Sequence, residues 1–113
     1  MPFTPHPDLS EAEVAETVES TIAENDVAIF MKGNRTFPQC GYSQRAVQLI
    51  GQYTDAFADV DTLAALDAFR SALAAHSGWE TIPQVYVDGE FIGGSDIIAE
   101  LEERGELAPL LAD

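Results

Sequence analysis

The sequence predicts an α/β domain, a small mixed sheet of four strands with helices on both sides. Three observations predict it. Apolar residues recur at helical spacing in four separate stretches. Between them lie a continuous apolar run over residues 27–31 and an alternating run over 56–60, the patterns of a buried and a half-buried strand. Finally, Asp88-Gly89 between two apolar stretches marks a tight hairpin. The order along the chain is α-β-α-β-α-β-β-α.

Residues 1–9, with three prolines, read as an extended N-terminal tail, and residues 10–113 as a single domain. Ser10 and Glu13 have the spacing of a capping box, and Val14, Val18 and Ile22 behind them make an amphipathic helix to about Glu24. The strand over 27–31 ends at Gly33, and a loop carrying Phe37-Pro38 leads to Cys40. From Gly41 to about Tyr53 the pattern is helical, with Val47 and Ile50 inward and Ala46, Leu49 and Tyr53 beside them. After the strand over 56–60, Asp61 or Thr62 caps a helix that runs to about Ala75 on Leu63, Leu66, Phe69 and Leu73. Ser77-Gly78 breaks it. The hairpin follows, then Gly93-Gly94, which permits close backbone approach, and a last helix from Ser95-Asp96 with Ile97, Ile98 and Leu101. Gly105 caps it, and residues 107–111 pack a final turn.

Composition bounds the function. An apolar fraction of 46% excludes disorder despite a net charge of −15. One cysteine excludes an internal disulfide framework. No stretch approaches a membrane span, the N-terminus lacks a signal-peptide pattern, and the expected location is the cytoplasm. A pI near 4.1 speaks against nucleic acid and anionic membrane as partners. The acid excess reads as a solvated surface, of a kind suited to high salt.

One window departs from that surface. Residues 27–54 contain no Asp or Glu, where an even spread of the 20 acids would place about five. Three of the five cations, Lys32, Arg35 and Arg45, fall there, together with the only cysteine, Cys40. Cations stabilise a thiolate, so Cys40 is a candidate nucleophile or metal ligand. The alternative is a small buried hydrophobe, and both readings stay open on composition. Cys40 also stands at the start of a helix, whose free N–H groups and dipole favour a thiolate. It heads Cys40-Gly41-Tyr42-Ser43, a Cys-x-x-Cys spacing with Ser in the second place, so any redox cycle needs a sulfur from outside the chain.

Phe30-Met31-Lys32-Gly33, Phe37-Pro38-Gln39-Cys40-Gly41, Trp79-Glu80-Thr81-Ile82-Pro83-Gln84, the segment from Val87-Asp88-Gly89 to Gly93-Gly94, and Arg104-Gly105-Glu106-Leu107 together resemble the monothiol glutaredoxins of the Cys-Gly-Phe-Ser type. The similarity covers roughly residues 12–111. It implies the thioredoxin fold, a central four-stranded mixed sheet flanked by helices. It implies a site for glutathione, or an equivalent low-molecular-weight thiol, in which Lys32 and Arg70 hold carboxylates. Ile82, before a cis-proline at Pro83, offers its backbone groups, and Ser95 and Asp96 take the γ-glutamyl end. It also implies a [2Fe–2S] cluster with Cys40 as ligand. A cluster of this type takes four thiolates, so two chains and two small thiols would complete it as a bridged homodimer. Such a protein carries clusters between iron–sulfur donor and acceptor proteins. The alternative the family allows is a glutathione-dependent thiol–disulfide oxidoreductase with Cys40 as nucleophile. Two departures stand out: Tyr42 replaces the usual Phe, and Ser95 stands where many members have a second cysteine.

Other readings of the same residues are plain. Lys32 and Arg70 also read as solvated charges and Asp96 as a helix cap. Trp79 reads as core or site wall, Tyr42 as rim, and Arg35 and Arg45 as surface cations able to steer anions. His6 and His76 have no partners at ligand spacing.

Overall fold

The computed structural model describes residues 10–112; the expected extended tail over 1–9 lies outside them. Helix α1 (Glu11–Glu24) opens with the full capping box: Ser10 Oγ accepts from the Glu13 N–H at 3.1 Å and Glu13 accepts from the Ser10 N–H at 3.0 Å. Its buried stripe is Val14, Val18 and Ile22, as the spacing requires. Strand β1 (Val27–Met31) is buried at every position, which explains its unbroken apolar run. It lies inside the sheet, whose order is β2-β1-β3-β4. Here β2 is Ala58–Asp61, β3 is Gln84–Val87 and β4 is Glu90–Gly93. β2 pairs parallel with β1, while β3 pairs antiparallel with both β1 and β4. The β3–β4 turn has Asp88 at φ 52° and Gly89 at φ 84°, the double left-handed turn that Asp-Gly favours.

Alternation along β1 sends side chains to opposite faces and builds two cores. Val27, Ile29 and Met31 meet Ala46, Val47 and Ile50 of α2 (Gly41–Gly51), Ile98 of α4 (Ser95–Glu103) and Leu107 of α5 (Leu107–Leu111). On the other face Phe30 and Tyr86 meet α1 and Phe69 and Leu73 of α3 (Leu66–Ser77). Phe30 packs edge-on against Tyr86 at 5.7 Å between ring centroids. The mixed four-stranded sheet flanked by helices is the architecture expected.

Three local expectations are corrected. The second strand begins at Ala58, not Ala56, because its register is set by pairing Ala28 with Ala58 and Met31 with Asp61. Helix α2 ends at Gly51, leaving Tyr53 outside the core with its hydroxyl bonded to Glu102 of α4 at 2.6 Å. The third helix starts at Leu66 and not directly after Asp61 or Thr62, although Asp61 does cap the segment that leads into it, its Oδ1 accepting the Leu63 N–H at 2.9 Å. A short 3-10 turn (Leu63–Ala65) precedes it, since Thr62 is buried with its hydroxyl donating to the Met31 carbonyl at 3.0 Å. Leu63 thereby points outward at 44% exposure, while Phe69 and Leu73 carry the buried face.

Candidate functional site

The acid-free window folds back on itself. Leaving β1, the backbone turns at Gly33 (φ 85°), where a Cβ would lie 2.5 Å from the Phe37 carbonyl oxygen and 2.7 Å from the Gln39 nitrogen. Only glycine fits this close approach. The Gln39 N–H then donates to the Lys32 carbonyl at 2.9 Å, which sets Lys32 beside Cys40 although eight positions separate them in sequence. Asn34 Oδ1 accepts from the N–H groups of Thr36 and Phe37 at 2.9 Å each, closing the tip of the loop.

Arg35 corrects its reading as a free surface cation. Its backbone N–H and Nε both bond the Asp59 carboxylate at 3.0 Å, and Nη1 bonds the Asp55 carbonyl at 3.0 Å. Nη2 donates to the Phe57 carbonyl, and the guanidinium lies 3.8 Å from the Phe57 ring centroid. The planar five-donor fork suits this anchoring role, which fastens the 33–39 loop to β2. Arg45 is exposed, as expected.

Cys40 is the N-cap of α2, with extended backbone (φ −149°, ψ 136°) and partial exposure. Partial burial alone pushes its thiol up, but the polar Ser43 and Tyr42 N–H groups, the Ser43 hydroxyl and the charge of Lys32 nearby outweigh this. The thiol is held below its ordinary value of 9.0. Ser43 is fully buried beneath the sulfur and accepts the Lys32 N–H at 3.1 Å. Ser43 thus occupies the second place of the motif as a hydrogen-bonding support. The sequence showed it only as a missing sulfur.

Cys40 opens onto a cleft of about 790 Å3, a size common for small-molecule pockets. Lys32, Arg70, Ile82, Ser95 and Asp96, the residues expected from sequence, all line it with Cys40. They arrive from four places: the end of β1, α3, the loop before β3 and the start of α4. Arg70 has one partner among the described residues, Asp67 at 3.7 Å one turn back, a loose exposed pair that leaves the guanidinium available. The Ile82-Pro83 bond is cis. Gly93 lets α4 start close to the cleft, since a Cβ there would meet Ile97 at 2.6 Å. The N-cap of α4 is Gly94, with no side-chain cap, so Asp96 is not the cap. It stands in the first turn beside backbone N–H groups without intrahelical partners. With two cations against one carboxylate, the lining has the opposite sign to the chain as a whole.

Two exposed aromatic residues line the cleft, Tyr42 at 63% exposure and Trp79 at 58%. Trp79 is therefore cleft wall and not core. Ile97, expected with the helix's apolar face, instead lines the cleft with Phe91 and Ile92. Periodicity gave no sign of these three, because they sit where a buried stripe meets the cleft edge.

Residues 27–92 match the glutaredoxin family model. The chain is 45% identical over 101 residues to glutaredoxin 4 of Pasteurella multocida, covering 89% of this chain and 92% of that one. It is 54% identical over 85 residues to the probable monothiol glutaredoxin GrlA of Legionella pneumophila, covering 75% of this chain and 94% of that one. The chain belongs to the monothiol glutaredoxin family. Its fold is the thioredoxin fold of glutaredoxins. The structure of buckwheat glutaredoxin in complex with glutathione superposes with a TM-score of 0.76 at 25% identity, over 96% of this chain and 94% of that one. As a glutaredoxin with one cysteine, this chain has no second thiol to close a disulfide with Cys40. No helix among the described residues is long and apolar enough to cross a membrane.

Proposed function

We propose that this monothiol glutaredoxin carries a [2Fe–2S] cluster bridged between two copies of the chain. Cys40 is the ligand from each copy, and glutathione or a similar small thiol is the co-ligand. The observation that carries the reading is a thiol held below its ordinary value at the mouth of a cleft whose lining is cationic. Among the described residues no group of three or more His, Cys, Asp or Glu side chains could hold a metal ion. Ligands beyond Cys40 must then come from outside one chain, which suits the pairing of two thiols with two cysteines. Lys32 and Arg70 would hold carboxylates of the small thiol, Ile82 its cysteinyl backbone, and Ser95 with Asp96 its amino-acid end. The buckwheat glutaredoxin complex with glutathione supports the choice of thiol. The cluster supplies a cargo for iron–sulfur acceptor proteins in the cytoplasm. What the chain itself supplies is a poised sulfur and a binding cleft.

Protein purified without oxygen, then given iron, sulfide and glutathione, should absorb in the visible and elute as a dimer. Cys40→Ser should stay colourless and monomeric. An unaltered protein that remains colourless and monomeric contradicts the reading.

The lowered thiol favours a second reading, a glutathione-dependent oxidoreductase. Cys40 thiolate attacks the glutathione sulfur of a mixed disulfide, forming a Cys40–glutathione disulfide and expelling the substrate thiolate. A second glutathione thiolate then attacks that disulfide, releasing oxidised glutathione and restoring Cys40. Turnover of a glutathione mixed disulfide no faster than with Cys40→Ser excludes this activity.

A further inference from the structure

The Trp79 side of the cleft hangs from a residue outside the lining. Gln84, the first residue of β3, is polar yet fully buried. A buried amide is tolerated where its groups find hydrogen-bond partners, and here they do. Nε2 donates to the Trp79 carbonyl at 2.7 Å and to the Thr81 carbonyl at 3.0 Å. Both amide hydrogens therefore go to the loop over 79–83. Oε1 accepts from the Tyr86 hydroxyl at 2.8 Å, which fixes which way the amide faces. Tyr86 is itself immobilised, edge-on to Phe30 at 5.7 Å and 5.5 Å from Phe91. At the other end of the loop, Ser77 Oγ accepts the Trp79 N–H at 3.0 Å.

We propose that Gln84 and Tyr86 are positioning residues that set the 79–83 loop from within the core, and so set how Trp79 and the Ile82 backbone meet a small thiol. The ligand part rests on the small-thiol reading above. The chain of contacts runs from the aromatic core through one amide to two carbonyls of the loop backbone, those of Trp79 and Thr81. Neither residue lines the cleft. Loosening the amide lets the loop adopt other conformations, of which only a fraction presents Ile82 correctly, and apparent affinity falls by that fraction.

The test uses the full chain and two conservative variants. Gln84→Met keeps side-chain size and removes both donors; Tyr86→Phe keeps the ring and removes only the orienting hydroxyl. Trp79 is the only tryptophan, so the anisotropy of its emission reports the loop without any ligand. Anisotropy is expected to fall in both variants, further in Gln84→Met. The dissociation constant for reduced glutathione, by calorimetry, should rise roughly fivefold to tenfold in Gln84→Met and less in Tyr86→Phe. The pH midpoint of Cys40 thiolate absorbance should not move, since Ser43, Tyr42 and Lys32 are untouched.

Folded variants with unaltered anisotropy overturn the proposal. Lowered anisotropy with unaltered affinity overturns the link from loop to ligand, and a thiolate midpoint that moves along with the affinity shows general damage instead. If Gln84→Met does not fold, Tyr86→Phe decides by the same readouts. If the unaltered protein does not bind glutathione, the small-thiol reading falls, and Trp79 anisotropy alone decides the loop claim.

Discussion

Two loops position the cleft lining, one joining Lys32 to Cys40 and one carrying Trp79, Thr81, Ile82 and Pro83, and they are fastened in opposite ways. The 33–39 loop is tied to β2 by a charged side chain near the surface, Arg35 on Asp59, each about a third or less exposed. The 79–83 loop is tied to the core by a neutral amide that water does not reach, Gln84. A partly exposed ion pair is screened by salt and contributes little as charge alone. Arg35 holds because it adds carbonyl bonds and a stacked ring to the pair. An amide out of water's reach is indifferent to salt, but its loss leaves two loop carbonyls without their donor. The loop that leads to the thiol is thus fastened by many weak, redundant contacts, and the loop before β3 by few that are hard to replace.

The largest expected effect falls where backbone meets backbone. Gly33→Ala should cost about 3 kcal/mol or more in denaturant unfolding, because a Cβ at positive φ would strike the Phe37 carbonyl at 2.5 Å. Beside the 79–83 loop Gly94→Ala, at φ −94°, would meet only the Pro83 carbonyl at 3.1 Å and should cost about 1 kcal/mol. Equal losses at the two positions would break the contrast. Arg35→Met should come next, at about 1–2 kcal/mol, with the difference from the unaltered protein narrowing in high salt. A difference that grows with salt would show that the charge pair is not the screened component.

Ser43→Ala sharpens the comparison on the thiol side by a smaller effect. It removes a hydroxyl that favours the thiolate, so the Cys40 thiolate absorbance should titrate at higher pH. The folded thiol sits below its ordinary value and the unfolded thiol does not. The stability that Cys40 contributes should therefore rise with pH through the folded midpoint, level off above 9.0, and fade as pH falls through that midpoint. Ser43→Ala narrows that window; a midpoint that stays put or drops would remove Ser43 from its supporting role. Smallest of all, Arg45→Gln should leave stability within about 0.5 kcal/mol, as an exposed cation outside both anchors.

The legible parts of the sequence were those where one local pattern decides the structure. The α1 stripe, the buried β1 run and the Asp88-Gly89 turn each follow from a few neighbouring residues. The site residues were legible through family motifs, and Lys32, Cys40, Arg70, Ile82, Ser95 and Asp96 do share one cleft. What escaped depends on distant partners. The start of β2 is set by pairing with β1, and the 3-10 turn by Thr62 reaching Met31. Arg35 reads as a surface charge until Asp59 and the Phe57 ring are placed against it. Ser43 and Gln84 are polar residues whose burial no periodicity announces, because their partners are backbone groups brought near by the fold.

The proposal turns on stoichiometry: with one sulfur per chain, a cluster site would be completed only when two copies meet with two small thiols. Native mass spectrometry of protein reconstituted anaerobically with iron, sulfide and glutathione reads this directly. The account predicts one species containing two chains, one [2Fe–2S] cluster and two glutathiones, absent when Cys40→Ser is used or glutathione is withheld. A cluster bound by a single chain, or a bridged dimer that forms equally well without any small thiol, would contradict it.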